Sequence, residues 1–174
     1  MGSIQIGIVV AAVLLFWIVG AYNRLVRLRN AIVSSFSPVD EQFGLRHALL
    51  QEQLEAAGTT LSQAAPRVEA LRAASLQTDM ARAHARAHPG APGAITSLRL
   101  ADEILAEARA RLPLPAIAGS EISEIQARLG ASDTALAFAR GNFNGAVLEY
   151  NRAIRQMPTR LIAALFGFAP AGTL

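Results

Sequence analysis

Residues 4–22, "IQIGIVVAAVLLFWIVGAY", carry no charge and a single side-chain amide, Gln5. No other stretch limits the fold as strongly, because so apolar a run needs either lipid or a large protein interior around it. At roughly 1.5 Å per helical residue it covers a bilayer's hydrocarbon core of about 30 Å. Ile4, Ile8, Leu14, Leu15 and Phe16 supply apolar surface. Trp17 and Tyr22 lie toward the carboxyl end, where amphipathic rings suit the membrane interface. A cleaved signal peptide has basic residues before its apolar run and a small-x-small site after it. Here nothing basic precedes the run, and "NRLVRLRN" follows it. A chain of 174 residues is also too small to bury such a helix completely. The expectation is an uncleaved transmembrane anchor over residues 1–22, in contact with the lipid bilayer. Arg24, Arg27 and Arg29 follow at once, and no acid appears before Asp40. The positive-inside rule then sets the topology, with the amino terminus outside and the body in the cytoplasm.

Past the anchor, apolar residues recur at steps of three and four. Leu25, Leu28, Ile32, Phe36, Val39, Phe43, Leu50 and Leu54 form one stripe, so a long helix is expected to continue out of the membrane. Ser37-Pro38 lies inside it and predicts a kink or a short break. Gly58 reads as the stop. Thr60-x-x-Gln63 resembles a capping box for a second helix, whose regular part starts near Pro66 and turns Val68, Leu71, Ser75 and Thr78 inward. "HPGAPG" at 88–93 breaks the chain. A third helix is expected over about 94–112, with Ile95, Leu98, Leu105 and Leu112 on one face. "PLP" at 113–115 and Gly119 precede a fourth, capped by Ser120, with Glu121 and Glu124 suited to its positive start. Its stripe is Ile122, Ile125, Leu129, Leu136, Phe143, Val147, Tyr150 and Ile154. No alternating pattern is long enough for a strand. The fold class read here is all-α: an N-terminal transmembrane helix continuing into an antiparallel bundle of about four long helices, residues 23–158. An apolar segment, residues 159–174, follows it. With the first and last helices nearly equal in length, "LIAALFGF" returns to the bilayer surface or caps the base of the bundle.

The residues that carry chemistry are sparse. There is no cysteine, which excludes disulfides, thiolate catalysis and Cys-based zinc sites. All 16 basic residues are arginine, and the net charge is only +3, so no nucleic-acid partner is expected. His84 and His88, at i and i+4, share a helix face but lack a third ligand or an "HExxH" glutamate; no metal and no cofactor is expected. His47 has apolar neighbours and reads as half-buried. Asp40-Glu41 and Asp102-Glu103 are adjacent pairs that point in different directions, not a converging acid–base pair. No nucleophile triad or phosphate loop is present, and the chain is not expected to be an enzyme. Arg140, Asn144 and Asn151 stand in one line on the last helix beside Phe143 and Tyr150. They read either as side chains that fix helix register or as a polar seam against another subunit or partner.

"YNRLVRLRN" after a single amino-terminal span resembles the start of the LemA family of bacterial membrane proteins. "ARGNFNGAVLEYNRAIRQMPTRLIAALFGF" is similar to the family's carboxyl signature at Arg140, Phe143, Asn144, Tyr150, Asn151, Pro158 and Phe166 to Phe168. The chain departs from the family at "RHALLQEQL", where an "LIPNL"-like step is usual. The resemblance implies an anchored helical bundle at the bacterial inner membrane with no established enzymatic activity. A related branch is associated with building specialised membrane compartments. The functional expectation is a membrane-anchored scaffold that forms homo-oligomers or organises other membrane proteins. The alternatives are a ligand- or lipid-binding helical module and an accessory subunit of a membrane protease or transporter.

Overall fold

The structure, a computed structural model, describes residues 2–57, 65–112 and 120–174. Gly58, the Thr60–Gln63 box, the "PLP" turn and Gly119 lie outside the described residues, as do the side chains of Ser120 and Glu121. Five helices are present among the described residues: α1 (Gly2–Ala57), α2 (Ala65–Ala87), α3 (Pro92–Ala110), α4 (Ser120–Arg155) and α5 (Thr159–Leu165). Pro66 is the second residue of α2 and Pro92 the first of α3, positions where a missing N–H costs nothing because no intrahelical partner exists.

The first helix runs for 56 residues without interruption, so of the kink or short break expected at Ser37-Pro38 the break does not occur. Pro38 stands on the solvent face, so the Ser34 carbonyl that loses its N–H partner meets water. Its neighbours Phe36 and Val39 are 2% and 0% exposed, and their packing holds the helix through the defect. The hydroxyls of Ser34 and Ser35 turn back onto the carbonyls of Ala31 (3.1 Å) and Ile32 (3.0 Å).

The amino-terminal part of α1 has nothing against it. Ile4, Ile8, Leu14 and Leu15 are exposed, and Phe16 is 77% exposed. This apolar helix is compatible with membrane anchoring. From Ile18 onward the same helix acquires protein neighbours.

Four helices then build an all-α bundle. Its pairings run antiparallel: Glu52, Arg46 and Phe36 of α1 meet Arg128, Asp133 and Phe143 of α4. The α2–α3 hairpin lies across this pair, with His47 against Ser75 and Thr78 against the Ala101 carbonyl. The apolar interior is divided in two. One cluster gathers Leu25 to Phe43 with Leu136 to Ile154, and the other gathers Leu49 to Ala57 with Leu71, Leu105 and Ile122 to Leu129. Every stripe residue expected on α4 is buried. Between the clusters lies a charged layer.

After α4 the chain turns through a cis Met157-Pro158 bond into α5. It then continues without helix from Gly167 to Leu174 along the outside of α4.

Candidate functional site at the base of the bundle

The end of the bundle nearest the apolar span is built from four pieces: α1 around Tyr22, α5, the tail 166–174 and the α2–α3 turn. α5 is divided by face. Ile162 and Ala163 are buried against the core, whereas Leu161, Leu165 and Phe166 are exposed. Tyr22 joins the two ends of the chain, its ring 4.9 Å from Phe166 and 5.8 Å from Phe168. One face of the segment therefore closes the core, as a cap at the base would, and the other is exposed beside the root of the span.

The tail is held by the polar line of α4. The Asn151 amide donates to the Ala171 carbonyl and accepts from the Ala171 N–H, both at 2.9 Å. Asn144 does the same with Leu174, at 2.7 and 2.8 Å. The Tyr150 hydroxyl donates to the Ala169 carbonyl at 2.9 Å. The spacing has a geometric cause. Seven helical residues rise about 10.5 Å, and three extended residues span about 10 Å, so two asparagines two turns apart match positions 171 and 174. Each amide serves the tail as a neighbouring strand would. Sequence reading put these asparagines on one line but could not name the tail as their partner.

Beside the tail lies an open cleft of about 420 Å³. Its floor is Ile32, Val33 and Tyr150, and its walls are the turn 87–92 and tail residues 167 and 169–171. Arg29 and His88 line it, and no carboxylate does among the described residues. Burial raises the Tyr150 phenol above its usual value near 10, against a smaller opposing pull from Arg29. Gly172 presses on the turn: a Cβ there would stand 2.8 Å from the Pro92 Cα.

Further along, the charged layer joins three helices. Asp102 of α3 is paired with Arg46 of α1 and Arg140 of α4. Asp133 of α4 bonds Arg109 of α3 at 3.1 Å and lies 3.4 Å from Arg46. Both Arg46 and Arg140 also stand over the Phe43 ring, at 5.0 and 5.4 Å. Burial pulls Arg46 down to about 10, with Asp133 opposing it, so the guanidinium stays charged at neutral pH. Sequence reading treated Asp102 as half of an adjacent acid pair that does not converge and gave Arg46 no role. A signal was present: Asp102 falls between Leu98 and Leu105, Arg46 between Phe43 and Leu50, and Arg140 between Leu136 and Phe143. Each is a charge on an apolar stripe at helical spacing.

The other candidate residues are spread over the body. Arg24, Arg27 and Arg29 are exposed at its start. Pro158 is exposed at the α4–α5 turn, and Phe168 packs against the core. His84 and His88 lie with ring centroids 5.1 Å apart, and no third His, Cys, Asp or Glu joins them among the described residues. His47 is half-buried, its Nδ1 2.8 Å from the Ser75 hydroxyl.

Asn144, Tyr150 and Asn151 are among the residues that carried the resemblance, and here they clip the tail that follows the Phe-Gly-Phe step onto α4. The sequence model of the LemA family matches residues 35–174. The chain belongs to the LemA family. The match covers the bundle from residue 35 onward, α5 and the tail of this LemA chain and begins beyond the apolar span and the "YNRLVRLRN" segment. Comparison with curated proteins and with solved structures gives no match for it.

Proposed function

We propose that this LemA-family chain is a membrane-anchored, non-enzymatic scaffold that self-associates at the inner membrane and there organises other membrane proteins. The observation that carries the reading is the continuity of α1, which is at once the apolar span and the central helix of the bundle. The body is therefore joined to its anchor by a rod, not by a linker, as suits a part that transmits position. Arg24, Arg27 and Arg29 favour a cytoplasmic body. Self-association is supported by the outer face of α4, where Phe138 is 74% and Leu148 58% exposed. Between them Gly141 and Gly145 face open space, leaving room for another backbone to approach. Copies tethered in one plane are also concentrated for assembly.

The particle mass of the gently extracted full-length chain tests this. A uniform assembly of many chains is expected, and Phe138→Glu should reduce it to small species while leaving the helix content intact. A monomer or dimer in the unsubstituted chain would overturn the scaffold reading.

A further inference from the structure

We propose that the cleft at the base holds the head group of one anionic phospholipid drawn from the adjoining leaflet, with its phosphate at Arg29 and His88. The inference rests on anchorage by α1 but not on self-association. Three observations carry it.

The first is charge. The cleft offers a guanidinium and an imidazole with no carboxylate on its lining among the described residues, so an anion meets attraction there without an opposing charge. The second is shape. At about 420 Å³ it is the size of a small-ligand site, and Ile32, Val33 and Pro170 add apolar wall suited to a glycerol backbone. The third is position. Arg29 lies seven residues beyond Tyr22, about 10 Å along the helix, so a long side chain there reaches back toward the head-group layer. Gly167 lines the cleft and stands in the chain between Phe166 and Phe168, whose rings both lie against Tyr22. Acyl chains can remain in the bilayer beside these rings while the head group enters. The tail that Asn144 and Asn151 hold in place forms one wall, which gives those clips a purpose beyond closing the fold. The shared chemistry is a phosphate anion; the apolar wall and the nearby bilayer favour the lipid over the free ion.

Native mass spectrometry of the full-length chain in detergent, with phosphatidylglycerol, phosphatidylcholine or inorganic phosphate added, separates the outcomes. One phosphatidylglycerol per chain should be retained, in preference to phosphatidylcholine. Joint Arg29→Ala and His88→Ala substitution should weaken retention at least about tenfold, as loss of charge-assisted hydrogen bonds predicts. Val33→Trp fills the cleft from an exposed position without removing charge and should also weaken it. Arg24→Ala with Arg27→Ala removes two guanidinium charges outside the cleft and should leave retention nearly unchanged. Helix content by circular dichroism shows that each variant is folded. Equal retention of both lipids, or retention that survives Val33→Trp and the Arg29/His88 pair, would overturn the proposal. Displacement of the lipid by equimolar phosphate would assign the cleft to a free anion and overturn the lipid reading. Release of the chain from membranes without detergent would instead sink the anchorage, a result distinguishable from any of these.

Discussion

Asp102 accepts from two arginines in the middle of an apolar bundle, and the arrangement is sensitive to the removal of any one partner. Without the Asp102 charge, buried Arg46 keeps only Asp133 at 3.4 Å, and half-buried Arg140 loses its carboxylate partner. Asp102→Asn is therefore expected to cost about 3 kcal/mol, seen as a lower midpoint in denaturant unfolding. Replacing the set together, with Arg46→Met, Asp102→Leu and Arg140→Met, should cost less than that single change, because no charge is stranded. A larger loss in the triple variant would mean that the layer stabilises the fold outright. Tyr150 gives a pH-dependent counterpart. Below pH 10 its phenol is neutral whether the chain is folded or not, so its bond to Ala169 contributes fully. Above 10 the unfolded chain releases the proton first, because burial holds the folded phenol above its usual value. The folded state then binds more protons, and stability falls as pH rises through the raised value. A tyrosinate absorbance titration should show a late transition that Tyr150→Phe abolishes. These residues were only partly legible in the sequence. A lone charge on an apolar stripe is visible, but its partners sit 38 to 87 positions away on other helices.

At the scale of elements, α3 and α4 could be read closely from periodicity, since each buries one continuous stripe and the spacing alone identifies it. Pro38 does not break the helix because propensity is local while packing is not: Phe36 and Val39 secure the helix on both sides of it. Pro38→Ala should therefore stabilise the bundle, by up to about 3 kcal/mol from the restored hydrogen bond and helix propensity. A fall in thermal midpoint would show that the proline relieves strain elsewhere. The tail is the element that periodicity could not reveal, having no repeat of its own and partners only in side-chain amides. Gly172→Ala sets a methyl against the Pro92 backbone, which cannot move aside as a flexible side chain would. The expected result is a tail that exchanges its Ala171 and Leu174 amide hydrogens rapidly and is trimmed by protease, while the bundle melts nearly as before.

For the whole molecule, the continuity of α1 makes azimuth a property of the sequence. Each residue inserted into an α-helix turns the rest of the chain by about 100°. Two alanines inserted after Asn23 would turn the bundle by about 200° against the span and separate Tyr22 from Phe166 and Phe168. Seven would restore the facing direction to within about 20° and raise the body by about 10 Å. If the base rests on the bilayer, accessibility of Leu165→Cys to a membrane-impermeant thiol reagent should rise in both insertions. Unchanged labelling would show that α5 does not rest on lipid. The same rod limits how neighbouring copies can meet. A body on a flexible stalk can tilt and roll, so one contact between two copies leaves their relative pose undetermined. A body on a stiff stalk only slides and spins about the membrane normal, like a coin on a table, and a single edge-to-edge contact is then enough to set the curvature of a row.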